Sequence, residues 1–318
     1  MRHDFMWATL VHLSTNMWFE EGNYRGNNPK TWRMPAWPEL RWDRTTWDAY
    51  MVQLKESGVN TIVLDVGDGL VYESHPEIAV KGAWTVAEMK AELQKLDAMG
   101  FEVIPKLNFS TTHDTWMKQY ARMVSTPEYY QVCRDLIDEV CAIFNPRFVH
   151  IGMDEEVYDN QKDYDYVVIR QNDLWWHDFY YLVDCVEKNG VRAMMWSDYA
   201  RHRPDEFVAK CPKSVVQCVW YYFDKFGDNL EEMYEVRVRP LDILSKYGYD
   251  QLPCGSVEYF EENLELLVQY CHERVDKAHL LGFMQTTWEA VQPQWTDMLT
   301  MGCDTVNRSR KLYEKLNS

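Results

Sequence analysis

Eight short apolar runs alternate with stretches of helical periodicity, and no linker interrupts them, which predicts an α/β fold: a single (β/α)8 TIM barrel. The runs are continuously apolar rather than alternating, the pattern of parallel strands covered by helices on their outer face. Eight such units in 318 residues fit a closed barrel better than an open doubly wound sheet. No Gly-rich nucleotide fingerprint follows the first run, which also weighs against a dinucleotide-binding fold. One domain over residues 1–318 is expected, without an accessory domain.

The first strand is expected at 5–13, and a polar, Trp-rich loop follows to Arg44. Residues 46–55 read as a helix because Trp47, Tyr50, Met51 and Leu54 fall at i, i+3, i+4 and i+7, and Gly58 stops it. Strand two covers 59–66. After a loop through Tyr72 and His75-Pro76, Thr85 offers an N-cap with Glu88 three residues on, a capping box, and that helix runs to Met99-Gly100. Strand three covers 101–107. Pro127 then opens a helix whose Cys133, Ile137, Val140 and Phe144 share a stripe. Strand four covers 147–152, and a helix over 172–188 ends at Asn189-Gly190. Strand five is placed at 191–196 and strand six at 215–221. A short helix at 240–247, a weak strand seven at 249–254 and a long helix at 257–277 come next. Strand eight at 280–286 precedes a last helix closing near Leu316.

A net charge of −17 with no basic run argues against nucleic acid or an anionic membrane as partner, and fits a neutral or cationic ligand. Fourteen tryptophans and twenty tyrosines exceed what a core of this size needs, so some are expected on a binding surface. The eight cysteines (133, 141, 185, 211, 218, 254, 271 and 303) form no CxxC pair and read as reduced, buried small hydrophobes. The histidines show no HxH or HExxH spacing, so neither a metal nor a cofactor is expected. No apolar run approaches the length of a membrane span, and no apolar leader with a cleavage site precedes strand one. The expectation is a cytoplasmic chain as given, or a periplasmic or secreted one if a leader has been trimmed.

In a barrel of this type the chemistry sits at the C-terminal ends of the strands. Those ends gather Asp65 and Asp68 from strand two, and Lys106, Asn108 and His113 from strand three. Strand four supplies Asp154, Glu155 and Glu156, and strand five Trp196-Ser197-Asp198. Strand six ends in Trp220-Tyr221-Tyr222-Phe223-Asp224 and strand eight in Trp288-Glu289. Two adjacent carboxylates repel, so one can stay protonated near neutral pH while its neighbour is charged. A solvated acidic turn is the plain alternative. Trp196, Trp220 and Trp288 at three different strand mouths favour chemistry, because barrel interiors mostly hold branched aliphatics while flat indoles suit the apolar face of a sugar. His150, standing alone, reads as a hydrogen-bonded core residue.

The run His150-Ile151-Gly152-Met153-Asp154-Glu155 resembles the H-x-G-G-D-E signature of family 20 glycoside hydrolases, the β-N-acetylhexosaminidases. Gly100-Phe101-Glu102-Val103-Ile104-Pro105, followed by His113, resembles that family's strand-three segment, and His75-Pro76-Glu77-Ile78 with Gly82-Ala83-Trp84 echoes another. The resemblance implies retaining, substrate-assisted hydrolysis of terminal N-acetylhexosamine residues, so the partner is a carbohydrate bearing that sugar. Asp154 would polarise the 2-acetamido group, whose carbonyl oxygen attacks the anomeric carbon, and Glu155 would act as general acid and base. It also implies Trp196, Trp220, Trp288, Glu289, Tyr222, Asp198 and Asn108 as sugar-binding residues, with Tyr221 and Tyr249 as alternatives for the acetamido-binding tyrosine. Asp68 and His113 match a relay that tunes the acid, with Asp65 an alternative to Asp68.

The chain departs from the family pattern at several points. No arginine occurs in His12-Leu13-Ser14-Thr15-Asn16, and Lys106-Leu107-Asn108 stands where the family has E-I-D, so that Lys106 can supply Asp154 with a positive charge. Trp288 and Glu289 are adjacent where the family spaces them by one residue. Two other readings therefore stay open: a non-catalytic carbohydrate-binding barrel, and a glycosidase of different sugar specificity. The latter would use a carboxylate such as Glu289 as nucleophile, about 5–5.5 Å from Glu155.

Overall fold

The computed structural model describes residues 2–20 and 36–318; residue 1 and the middle of the Trp-rich loop, 21–35, lie outside the described residues. Eight parallel strands form one sheet: β1 Met6–His12, β2 Thr61–Asp65, β3 Glu102–Lys106, β4 Phe148–His150, β5 Arg192–Trp196, β6 Val216–Cys218, β7 Cys254–Ser256 and β8 Gly282–Thr286. They are ordered β6-β5-β4-β3-β2-β1-β8-β7. Single parallel bridges from Gln217 to Gln251 and from Trp220 to Cys254 join β6 to β7. Across that seam Cys254 N–H donates to the Val219 carbonyl at 2.8 Å and Tyr221 N–H to that of Cys254 at 3.0 Å. The cylinder is the expected (β/α)8 barrel.

Ten α-helices are described: α1 Arg44–Ser57, α2 Val86–Ala98, α3 Pro127–Phe144, α4 Tyr158–Gln161, α5 Asp173–Glu187, α6 Asp198–His202, α7 Pro204–Lys210, α8 Glu232–Lys246, α9 Asn263–Arg274 and α10 Thr296–Leu316. Their starts and stops follow local chemistry. Asp43 caps α1 by accepting the Thr46 N–H at 2.7 Å, and Gly58 ends it in the left-handed region. The Thr85–Glu88 capping box opens α2 as expected.

Period-two alternation sorts the strand residues into two cores. Met6, Ala8, Leu10, Val63, Ile104, Phe148, Met194, Trp196 and Met284 fill the cylinder. Trp7, Val11, Ile62, Leu64, Val149 and Phe283 face the helices. The same parity carries His12, Asp65, Lys106 and His150 inward at the strand tips, so a polar layer sits directly below the mouth.

Three expectations shift. Strand seven begins at Cys254 rather than at 249 because Pro253 has no N–H for the ladder, although Gln251 still bridges both neighbours. Helix α8 starts at Glu232, eight residues ahead of the expected 240, and passes through Pro240. The interior proline costs about 3 kcal/mol. Burying Val238, Leu241 and Leu244 at roughly 1.5–3 kcal/mol each outweighs it. Helix α9 begins at Asn263 instead of 257, because the Asn263 amide accepts the Ser256 N–H at 2.9 Å and donates to the Tyr221 and Phe223 carbonyls. Among the described residues no helix is long and apolar enough to cross a membrane.

Candidate active site

The polar layer is built on Lys106. Its fully buried ammonium lies 2.5 Å from Asp65 Oδ2, and His12 Nδ1 approaches the same oxygen at 3.4 Å. Burial alone would raise the Asp65 pKa, but Lys106, with His12, overrides it and holds the carboxyl below its ordinary value. Burial, reinforced by the Lys106 charge, pushes His150 down to about 3, so it is a neutral ring whose Nδ1 accepts the Gly152 N–H at 3.1 Å. Lys106 thus spends its contact on Asp65 and acts on Asp154 only through its field.

Above this layer the chain after β4 turns sharply. Gly152, Met153 and Glu155 have φ of 77°, 73° and 55°. A Cβ on residue 152 would lie 1.9 Å from Asn108 Oδ1, so glycine is what lets Asn108 cross beneath the turn. Asn108 Nδ2 then donates to Asp154 Oδ1 at 3.0 Å. The Thr112 hydroxyl donates to the Glu155 carbonyl at 2.6 Å, and the Ser110 hydroxyl to the Asp154 carbonyl. These bonds fix adjacent acids in different surroundings: the Asp154 side chain is 8% exposed and that of Glu155 33%.

His113 joins the two acids. Its Nδ1 lies 3.2 Å from Asp154 Oδ2 and its Nε2 lies 3.5 Å from Glu155 Oε2. Burial opposes a charge on the ring, but the Asp154 and Glu155 carboxylates outweigh it and raise His113 to about 10. Burial likewise opposes ionisation of Asp154, yet the imidazolium, with Lys106 and Asn108 behind it, keeps Asp154 below its ordinary value and charged. Nearby Asp198 moves the other way: burial, resisted by Arg201 and aided by repulsion from Asp154 and Glu155, raises it. Candidate ligand atoms of His113, Asp154 and Glu155 lie within 4.8 Å of one another, a spacing that could hold a metal ion, although the imidazolium already supplies the positive charge between the acids.

Sequence reasoning paired Asp68 with His113, and the structure does not. The turn Gly67–Gly69 carries Asp68 round toward β1, where Ser14 Oγ donates to one carboxylate oxygen at 2.6 Å and Asn16 Nδ2 to the other at 2.8 Å. Burial raises Asp68 to about 6. Asp65, the alternative, is taken by Lys106.

The aromatics divide by depth. Trp196 is 1% exposed, with its ring 4.6 Å from His150 and 6.0 Å from Trp288. Trp288 donates to the Tyr222 hydroxyl at 3.1 Å, and Trp220 donates to Asp198 Oδ2 at 2.8 Å beneath the Arg201 guanidinium. Of the three candidate tyrosines, Tyr222 is the one in this group. The Tyr221 hydroxyl turns to the Lys225 carbonyl, and that of Tyr249 to Cys211 at 2.9 Å. Glu289 is buried. The strand-end reading missed Trp18, which meets Trp288 edge-on at 5.9 Å and His113 at 6.0 Å. Its signal was the Trp-rich loop after strand one.

Glu155 and Asp198 line a cavity of about 310 Å³ with Trp175, Tyr199, His202 and Arg203. A second cavity, about 450 Å³, is lined by Asn16, Trp37, Asp68, Lys118 and Arg122.

Residues 85–298, more than half of the chain, match the model described as glycosyl hydrolase family 20, catalytic domain. No curated protein matches the chain. Among solved structures it is similar to the Flavobacterium johnsoniae chitobiase, with TM-score 0.60 and 18% identity over 86% of this chain and 49% of that one. It is also similar to a β-N-acetylhexosaminidase from Bacteroides fragilis, with TM-score 0.62 and 12% identity over 94% and 65%. Dispersin B is similar too, with TM-score 0.58 and 15% identity over 87% and 96%. The chain thus spans about half the length of the first and just under two thirds of the second. At these identities the likeness is one of fold.

Proposed function

The chain belongs to glycosyl hydrolase family 20, and from that premise we propose that it removes terminal N-acetylhexosamine residues by a retaining, substrate-assisted mechanism. The observation that carries this reading is His113 holding Asp154 and Glu155 on one ring while only Glu155 also faces a cavity. Asp154, kept charged, accepts the acetamido N–H and strengthens the carbonyl oxygen as nucleophile. That oxygen bonds to the anomeric carbon as the glycosidic bond breaks, so no protein nucleophile is required. Glu155 delivers a proton to the departing oxygen and then takes one from the water that opens the cyclic intermediate. The charged His113 ring beside Glu155 Oε2 holds that carboxyl in place and steadies its charged form between the two steps. Trp220, Trp288 and Tyr222 wall the sugar, and Trp196 is the floor beneath them. Asp198 and the buried Glu289 take the sugar hydroxyls, and the cavity beside Glu155 receives the leaving group.

Glu155→Gln is the test. On an aryl N-acetyl-β-glucosaminide the variant is expected to lose roughly 10²-fold or more in kcat, as removal of a general acid and base does. Equal rates for the variant and the wild type would remove Glu155 from the mechanism. A second reading, a non-catalytic sugar-binding barrel, draws on His12 packing against Trp18 and Trp288 at the end of β1, where the family has an arginine. Calorimetry showing saturable binding of N-acetylglucosamine without turnover of any glycoside would favour it.

A further inference from the structure

The third acid of the run, Glu156, takes no part in the chemistry above, yet it is the one of the three that pairs with an arginine. Both residues line the same cavity, but the Glu155 side chain is 33% exposed and that of Glu156 only 6%. Both Glu156 oxygens meet the Arg170 guanidinium: Nε approaches Oε2 at 3.2 Å and Nη2 donates to Oε1, which also accepts the Thr111 N–H at 3.1 Å. Arg170 is wholly buried and continues to Asp178 Oδ2 on α5 at 3.2 Å and to the Phe109 carbonyl at 3.0 Å. Asp178 is in turn held by the hydroxyls of Ser125, at 2.7 Å, and Tyr130. One continuous set of bonds therefore ties the loop after β3, the turn after β4, and α5.

The backbone explains why such an anchor is present. A non-glycine residue in the left-handed region costs of order 1–3 kcal/mol, and it persists only where its surroundings over-determine it. Met153 and Glu155 both lie there, with φ of 73° and 55°. The hydroxyl bonds hold the carbonyls of Asp154 and Glu155, and a buried bidentate ion pair holds the next residue, Glu156.

We propose that Arg170 and Glu156 are positioning residues: their ion pair locks the backbone turn at Glu155 and thereby fixes the direction in which the proton donor points. This rests on Glu155 being the acid. Glu156→Gln keeps the shape and the Thr111 bond but discharges the pair. The triple variant Glu156→Leu, Arg170→Met and Asp178→Asn removes it without stranding the buried Asp178 carboxylate that Arg170 also meets.

Each variant is assayed on a nitrophenyl glycoside, whose leaving group needs little protonation, and on an alkyl glycoside, whose leaving group needs it fully. The expected result is a kcat/KM loss at least tenfold larger on the alkyl substrate in both variants. An equal loss on both substrates marks general structural damage and overturns the proposal. Hydrogen exchange of peptides spanning 153–157 gives a reading that does not depend on turnover. Exchange there is expected to quicken about tenfold relative to the barrel strands, and unchanged protection overturns the proposal. If the wild type hydrolyses neither glycoside, the acid assignment fails on its own, and exchange still decides whether the pair holds the turn.

Discussion

His113 is the residue through which the site's charge is set. Its ring stays protonated in the folded chain because two carboxylates face its two nitrogens, which raises it from 6.5 to about 10 against the opposing effect of burial. A group with a raised folded-state pKa binds its proton more tightly folded than unfolded. Its contribution is therefore complete below about pH 6.5 and is lost as pH climbs toward 10. Urea melts of the wild type should lose stability, on the order of a few kcal/mol, across that window. His113→Gln should flatten that part of the curve, and a wild-type profile level from pH 6.5 to 10 would mean the ring is not an imidazolium in the folded chain. At this scale the sequence was legible where neighbours in the chain are neighbours in space, as for Asp154 and Glu155. It was not legible where a loop chooses its direction. Asp68 and His113 both follow strand tips, but the Gly67–Gly69 turn sends Asp68 to Ser14 and Asn16 instead.

At the scale of elements, β1, β2 and β3 share more than ladder bonds. Lys106 on β3 reaches Asp65 on β2, and His12 on β1 closes on the same oxygen, all inside the cylinder. Removing one partner of a buried pair strands the other charge and costs about 3–5 kcal/mol, whereas replacing both by apolar groups can be neutral. Lys106→Met should therefore destabilise the chain by about that amount in urea, and adding Asp65→Leu should recover most of it. Additive losses in the double variant would contradict the pairing. Strand and helix identities came readily from periodicity, since continuous apolar runs and i, i+3, i+4 stripes each have one structural meaning. The boundaries that moved did so where tertiary contacts outvoted a local signal. Pro240 reads as a helix start, yet packing of Val238 and Leu241 carries the helix through it, and the Asn263 side chain holds residues before α9 out of the helix.

The molecule as a whole is a parallel cylinder whose class was legible because eight repeats of one pattern constrain topology far more than any single element does. Closure was expected too, but not its form, since β6 and β7 meet through isolated bridges around Pro253 rather than a full ladder. The aromatic mouth was legible in part. Tryptophans at strand tips announced it, but depth separates a sealed Trp196 from half-buried Trp220 and Trp288, and sequence carries no depth. On the proposed mechanism, the nucleophile at this mouth belongs to the sugar. The most direct measurement is kcat/KM across aryl glycosides of N-acetyl-, N-fluoroacetyl-, N-difluoroacetyl- and N-trifluoroacetylglucosamine, in which each fluorine weakens the acyl oxygen as a nucleophile. Substrate assistance predicts a stepwise fall along the series, whereas rates that ignore the fluorines would contradict it and hand the nucleophile's role to the protein.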